Sequence, residues 1–331
     1  MECWMRLLKI ELTSTQMQET IVIGDNKQEN ERRYNYGIVS STIGDNLSIK
    51  VQGTKYPAIN KDKGTLTIIN LDYETILRIK LGQYYKIKIW CGYKSWNKEP
   101  FLLYSGEISH MSTKIYSHHE TETYIIFAST IVAKYSQKRM NLSLNSGLNV
   151  YAMMSYVLNT NGASKYHLDP KLKEKAINEY KALNGTLTTV LDSYTLTLGG
   201  EYSVACDGTE GTVIDVTSTK GKRFIKLDPS AIPMKSGNPT VTSEGLRMEL
   251  LPICNLKVGD ILVIDPALIN IAIENAESVT STFNANYMDS NGCYMIIELG
   301  FSLENRGQNF GYQIKARALD ILYNLTGISG K

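Results

Sequence analysis

The sequence is poor in the residues that usually build metal sites and disulfide frameworks. Its 331 residues include only five cysteines, an odd number, and no two of them form a C-x-x-C pair. Zinc sites and disulfide frameworks need paired spacings, so both are excluded as predictions. We expect the isolated cysteines to be small buried apolar side chains in a protein assembled in a reducing cytoplasm. They are Cys3, Cys91, Cys206, Cys254 and Cys293.

Long apolar runs and leader-like segments are also missing. No stretch approaches 18 uncharged apolar residues, so we expect no membrane insertion. The first residues, MECWMRLLKIEL, mix charges with apolar residues and lack the apolar core and cleavage site of a signal peptide. We therefore expect no secretory leader.

Neither charge sign dominates. The 35 Lys and Arg residues nearly balance 33 Asp and Glu residues, for a formal net charge of +2. A protein that coats nucleic acid carries a basic excess, so that function is disfavoured, although DNA could still pass through a lumen. A length of 331 residues and an apolar fraction of 43% predict two or three globular domains.

Sequence motifs for catalysis are absent as well. No phosphate-binding loop, dinucleotide fingerprint or nucleophile elbow occurs. The His118-His119-Glu120 segment is the only histidine cluster, but neighbouring side chains on a strand point to opposite faces. We interpret it as a solvated hairpin tip.

A partial calcium-loop pattern lies at Tyr287–Glu298. Asp289, Asn291, Gly292 and Glu298 occupy four of its positions, but Tyr287 stands where the first carboxylate belongs. A D-S-N-G turn before a strand is the better interpretation. We predict no metal, no cofactor and no enzymatic activity.

The first 135 residues are predicted to be mainly β-strands. Period-2 alternation at Leu47–Val51, Thr65–Leu71 and Tyr85–Cys91 places one face on a core. Phe101–Met111 and Glu122–Ser129 predict a long hairpin. A short helix, N-capped by Asp72, is predicted between the second and third strands.

The middle of the chain changes to a helical period. Gly147–Gly162 predicts an amphipathic helix, residues 172–183 a charged helix after Asp169-Pro170, and Thr186–Leu198 a third helix. Tyr202–Cys206 and Thr212–Thr217 predict a hairpin. A linker rich in Pro, Gly, Ser and Thr follows at Asp228–Gly245.

Beyond the linker the pattern predicts strands again. These predicted strands are Leu246–Leu251, Ile261–Ile264, Cys293–Phe301 and Tyr312–Ala318. The organisation is therefore β, then α+β, then β.

Several stretches resemble the hub family of phage tails and contractile injection systems, which cap the tail tube and join it to the spike or tip. In the stretch TLTIINLDYETILRIKLGQYYKIKIWCGY, four residues match the family's order of strand, helical turn and strand: Asn70, Leu71, Gly92 and Tyr93. Gly106 matches the following F-x-G-x-I element. In PTVTSEGLRMELLPICNLKVGDILVIDP, Gly259 and Asp260 match the entry to a second tube domain.

The helix SLNSGLNVYAMMSYVLNTNG and the closing hairpin NGCYMIIELGFSLENRGQNFGYQIKARAL are similar to further elements of the family. The resemblance covers most of residues 45–160 and 235–320. It implies a β-rich α+β chain in which two tube-type, β-barrel-like domains flank a small helical α+β domain. The expected boundaries are 1–135, 136–240 with the linker, and 241–331.

The same resemblance implies a structural virion protein located in the phage tail. The expected function is a baseplate hub that forms a homo-oligomeric ring, with a trimer preferred over a hexamer, and contacts tail tube, spike or tip proteins. DNA would be present only in transit. The alternative from a different class is a receptor- or glycan-binding module of a tail, suggested by the 21 Tyr and 3 Trp residues.

Overall fold

The computed structural model describes residues 6–24, 47–55, 63–93, 99–117, 120–130, 139–160, 163–178, 180–186, 189–191, 202–207, 210–215, 222–227, 237–242, 245–252, 254–271 and 292–319. The first region is built from antiparallel strands and one helix: β1 (Arg6–Ser14), β2 (Thr20–Ile23), β3 (Ser48–Lys55), β4 (Lys63–Ile69), α1 (Tyr73–Leu81), β5 (Tyr84–Tyr93), β6 (Phe101–Ser117) and β7 (Glu120–Ala128).

These elements follow the predicted periodicities. On β5 the side chains of Ile87 and Ile89 are buried while those of Lys86 and Lys88 are exposed, as alternation requires. Helix α1 begins after Asp72, whose carboxylate accepts a hydrogen bond from the Thr75 amide at 2.8 Å. The predicted helix and long hairpin are both confirmed.

The middle region contains one long helix and several short strands: β8 (Arg139–Leu144), α2 (Val150–Thr160), β9 (Lys165–Leu168), β10 (Lys181–Thr186), β11 (Tyr202–Asp207), β12 (Glu210–Asp215), β13 (Phe224–Lys226) and β14 (Thr240–Thr242). The apolar stripe of α2 is buried as predicted. With residues such as Leu172, Ile177 and Val213, it forms a core of its own.

The predicted charged helix over residues 172–183 is wrong. Asp169 caps only a 3-10 turn, Pro170–Lys173, and the chain then turns back toward α2 through an Asn149–Ala176 bridge. Its last residues form β10, which pairs with β8. Pairing with a distant strand has overridden a moderate helical propensity.

Other predictions for the middle region have mixed outcomes. The predicted hairpin is confirmed by the β11–β12 pairing. Of the third predicted helix, the structure describes helix only at residues 189–191, and most of its C-terminal part lies outside the described residues. The linker contains a short strand, β14, which pairs with the strand after it.

The last region is again built from strands: β15 (Gly245–Leu250), β16 (Ile261–Val263), β17 (Asn270–Ile271), β18 (Cys293–Glu304) and β19 (Phe310–Ala318). A 3-10 turn, Pro266–Leu268, precedes β17. The β-rich α+β prediction is confirmed.

Strands of both outer regions belong to one fourteen-stranded sheet. Its main path runs β17-β14-β15-β19-β18-β3-β4-β7-β6-β5-β1-β2, and β16 and β13 branch from β18. One apolar core includes Ile49, Leu66 and Ile87 from the first region with Leu299 and Ile314 from the last. Strand β13 lies within predicted residues 136–240 but pairs with β16, and the three-domain division stays a prediction.

Among the described residues, no helix combines the length and the apolar character needed to cross a bilayer.

Candidate functional site: a polar sheet face across the seam

Strands β3 and β18 join the two β regions. Residues 50–55 of β3 pair antiparallel with residues 299–304 of β18. The opening part of β18 instead pairs with β16 along the same edge. Because β18 is long enough to serve both partners, the last region continues directly into the first. We call the β3–β18 ladder, together with the contacts around it, the seam.

Aromatic rings over glycines fill the core side of the seam. Phe301, Gly53, Gly64 and Phe127 follow one another on the adjacent strands β18, β3, β4 and β7 at one register level. A Cβ atom on Gly53 would lie 2.4 Å from Phe301 Cζ, and one on Gly64 would lie 2.3 Å from Phe127 Cζ. Each ring therefore occupies the volume that a side chain of its neighbouring glycine would need.

Tyr104 of β6 packs between these two rings. Its ring centroid lies 4.9 Å from that of Phe127 and 6.0 Å from that of Phe301. Edge-to-face and tilted pairs at these distances are favourable beyond their buried area. The cluster thus links β6 and β7 of the first region to β18 of the last.

The turn between β18 and β19 docks onto the first region through Asn305. Its side-chain amide donates to the Leu47 carbonyl at 3.0 Å, and its carbonyl oxygen accepts from the Ile49 amide at 2.8 Å. The Asn305 amide of the main chain also donates to the Ile49 carbonyl at 3.1 Å. One side chain therefore satisfies both polar groups at the start of β3.

Arg6 of β1 holds the same turn from another side. Its guanidinium donates to the Glu304 carbonyl at 3.0 Å and to the Gly307 carbonyl, and it lies 5.3 Å from the Phe310 ring centroid. The Tyr93 ring meets Phe310 edge-on at 5.2 Å. The turn is thus held by hydrogen bonds and by aromatic packing.

The face of the sheet away from the core is polar across the seam. Rows of paired residues cross from one region to the other. One row is Tyr124, Thr67, Lys50 and Glu304, and the next is Ile126, Thr65, Gln52 and Ser302. Further along the strands, Thr54, Gly300, Gln313 and Glu249 form another row. We call this surface the polar face.

Two adjoining grooves lie on the polar face. One, of about 630 Å³, is lined by residues such as Lys50, Thr67, Glu122, Tyr124 and Arg306. The other, of about 330 Å³, has Gly300 and Gly311 among its lining residues. Gln52 and Ser302 line both, so the grooves follow the seam.

Charges on the polar face are paired across the seam. Lys50 of β3 lies 3.2 Å from Glu304 of β18. Burial opposes ionisation of Glu304, but hydrogen bonds from Lys50 and Asn309 outweigh it, and the pKa of Glu304 is lowered. The carboxylate therefore stays charged to lower pH than an ordinary glutamate.

Two of the family-signature positions of the first region close the end of β4. Asn70 has a positive φ of 66°, and its amide donates to the Thr121 carbonyl at 2.8 Å. Leu71 is buried, and its carbonyl accepts from the Thr121 hydroxyl at 2.7 Å. These bonds tie the start of α1 to the β6–β7 hairpin.

Three more signature positions lie on the strands of the first region. Gly92 pairs with Leu7 of β1, and Tyr93 is the seam residue that packs on Phe310. Gly106 has no room for a side chain, because a Cβ there would lie 2.2 Å from the Ala128 carbonyl oxygen.

Gly259 and Asp260 lie apart from the seam, before β16. Gly259 has a positive φ of 92°, and its amide donates to the Ile296 carbonyl at 2.9 Å. The Asp260 carboxylate accepts from the Lys257 amide at 2.7 Å and from the Arg223 guanidinium. It therefore links the loop to the residue preceding β13.

The predicted absence of a metal site is only partly open to inspection. His118, His119 and residues 287–291 lie outside the described residues, whereas Gly292 precedes β18 and Glu298 lies on it. Within the described ranges, no group of three or more His, Cys, Asp or Glu side chains is arranged to hold a metal ion.

Sequence reasoning missed the most important residues of the seam. Asn305 and Arg6 act on partners that lie 256 and 298 residues away along the chain. The only available signal was the polar Gly/Asn turn of the closing hairpin, which indicates a turn but not what it contacts.

No family model and no curated protein matches the chain. Solved structures do resemble it. A tail protein from Neisseria meningitidis MC58 shares 8% identity over 82% of this chain and 95% of its own, with a TM-score of 0.48. The 43 kDa tail protein of prophage MuSo2 from Shewanella oneidensis shares 7% identity over 83% of this chain and 97% of its own, with a TM-score of 0.47.

The E. coli c3393 protein is described as a type VI secretion component that is structurally similar to T4 bacteriophage tail proteins gp27 and gp5. It shares 10% identity over 82% of this chain and 73% of its own, with a TM-score of 0.48. At these identities and TM-scores the similarity carries no functional conclusion.

Proposed function

We propose that this chain is a structural subunit of a phage tail or tail-like machine, and that it acts as a hub ring between the tail tube and the spike or tip. The observation that carries the proposal is the polar face, which runs unbroken from β15 of the last region to β6 of the first. A ring built from such chains can present one wettable surface to a lumen.

The chemistry of this face suits passage rather than capture. Its side chains near the seam are mainly hydroxyls and amides, such as Thr65, Thr67, Gln52 and Ser302, and Lys50 is neutralised by Glu304. Such a surface offers weak, replaceable hydrogen bonds and little net charge, so a charged polymer in transit is not held by counterion release.

The opposite side of the sheet supports a rigid wall. The apolar core, the rings over Gly53 and Gly64, and the Asn305 contacts hold both regions together. We propose that the signature positions Asn70, Leu71, Gly92, Tyr93, Gly106, Gly259 and Asp260 serve this structural role and not catalysis. The resemblance to the hub family favours a trimer, in which two regions from each of three copies give six repeats.

The oligomeric mass of the purified full chain tests the proposal. One copy has a mass of 37.1 kDa, so three copies have a mass of about 111 kDa. Mass photometry over a concentration series should show this species, and negative-stain images should show rings with a central opening. A chain that stays monomeric at every concentration, and that is absent from purified particles of the phage or machine that encodes it, contradicts the proposal.

A further inference from the structure

The sheet span that carries the polar face has an unpaired strand edge at its β6 side. Strand β5 pairs with β6 only from Phe101 to Glu107, whereas β6 continues to Ser117. From His110 to Ser117, β6 has β7 on one side and, among the described residues, no strand on the other. Strand β11 lies near β6 without pairing with it. We call His110–Ser117 the open edge.

An unpaired edge of this length presents main-chain donors and acceptors to any extended chain. Its side chains are also those of an incomplete sheet. Ile115 and Tyr116 are 61% and 60% exposed. The hydroxyl of Thr113 is buried but has no hydrogen-bond partner among the described residues. A further strand would cover Ile115 and bring polar groups to Thr113.

The same span has a second unpaired edge at its other side. Strand β14 pairs with β15 only from Gly245 to Arg247. From Met248 to Leu250, β15 has β19 on one side and, within the described part of the chain, no strand on the other. One chain therefore carries two different open edges, which is the requirement for a head-to-tail contact between identical copies.

The direction of each strand fixes how these edges can meet. Seven antiparallel strands lie between and including β15 and β6, in the order β15-β19-β18-β3-β4-β7-β6. Because the number is odd, β15 and β6 run in the same direction. A second copy placed with the same orientation would therefore bring its β15 beside β6 in a parallel pair.

Register and charge agree with this arrangement. The paired rows place Glu249 of β15 level with Glu107 of β6, immediately before the open edge begins. A modest stagger, which every closed barrel needs, moves Glu249 along the open edge. Lys114 is the exposed cation on the polar side of that edge, so opposite charges would face each other across the contact.

We infer that the open edge of β6 receives β15 of a second copy of this chain, in a parallel pair with Lys114 close to Glu249. The inference rests on the proposed ring and specifies the surface by which it closes. The polar face then continues from one copy into the next.

A zero-length carbodiimide crosslink between native residues tests the contact directly. Copies labelled with nitrogen-15 are mixed with unlabelled copies, crosslinked as the full chain, digested and analysed by mass spectrometry. The expected product joins the Lys114 peptide of one isotope to the Glu249 peptide of the other. Mixed-isotope crosslinks that join other surfaces but never these two would overturn the inference.

Substitutions give an independent test. Ile115→Lys places a charge in the proposed contact and should weaken ring assembly about tenfold or more. Leu81→Lys is the matched control, because Leu81 is a 75% exposed apolar residue on α1, away from both edges. Thermal unfolding of both variants verifies that they are folded. Equal assembly of the two variants contradicts the inference.

A charge reversal separates this inference from the proposed function. Lys114→Glu and Glu249→Lys should each reduce assembly, and the double variant should recover it. If the wild-type chain forms rings that none of these changes affects, the ring stands and this contact is wrong. If the wild-type chain forms no ring at all, the proposed function itself fails.

Discussion

Phe301 lies over Gly53, its cross-strand partner on the neighbouring strand, so closely that a methyl group on the glycine would lie 2.4 Å from the ring. The pair lies on the seam, where a strand of the last region continues the sheet of the first. A bare backbone on one strand therefore accommodates the ring that the other strand contributes.

Gly53→Ala tests this relationship. The new methyl group must displace the Phe301 ring, which is packed against Tyr104, so we expect a loss of about 1–3 kcal/mol in the free energy of unfolding. Urea denaturation measures it. Gly300→Ala is the matched control in the same seam, because its Cβ would have contacts no closer than 3.4 Å. Equal stability of the two variants would contradict the packing described.

Asn305→Ala removes the side chain that satisfies the start of β3. The Ile49 amide and the Leu47 carbonyl each lose a partner, and we expect a cost of about 1–3 kcal/mol. Hydrogen exchange should accelerate at the Ile49 amide. Gln308→Ala, an exposed change in the same turn, should leave that amide protected. Unchanged exchange in Asn305→Ala would show that the turn does not hold β3.

The Lys50–Glu304 pair predicts a defined pH dependence. The pKa of Glu304 is lowered in the folded chain, since the hydrogen bonds to its carboxylate outweigh the effect of burial. Its contribution to stability is therefore complete above the ordinary glutamate value of 4.5 and is lost as the pH falls through the lowered pKa. Lys50→Gln should be less stable than wild type above pH 4.5, and the difference should shrink in acid. A difference that grows in acid would refute this sign.

Asp260→Ala should be the most costly of these changes. The carboxylate is only 7% exposed and holds both the Lys257 amide and Arg223, so removing it leaves a half-buried guanidinium without its carboxylate. We expect a loss of about 3 kcal/mol, measured by urea denaturation. Asp265→Ala is the comparison, since this exposed aspartate accepts a similar bond from the Ala267 amide and should cost about 1 kcal/mol. Equal losses would mean that Arg223 adds nothing.

Local patterns were sufficient where an element depends on its own residues. Asp72, Ile76 and Ile79 define α1, and the alternation of Lys86 to Ile89 defines β5. The predicted helix over residues 172–183 failed because β8, some 40 residues earlier in the chain, takes Lys181–Thr186 as its partner. Helical propensity contains no information about such a partner.

The candidate site was less predictable than the strands that form it. Alternation indicates that Lys50 and Gln52 lie on one face, but not that Glu304 and Ser302 continue that face. The seam depends on the register between segments about 250 residues apart, which no local pattern fixes. The signature glycines were visible in the sequence, whereas the rings that require Gly53 and Gly64 were not.

The great sequence separation of the two seam strands has a kinetic consequence. Contacts between distant segments form late, because the entropy of closing a long loop must be overcome first. During synthesis β3 emerges long before β18, and until then its edge toward β18 is bare. The nascent chain therefore passes through a prolonged interval in which this edge can pair with other chains, and productive assembly begins only once Phe301 has covered Gly53.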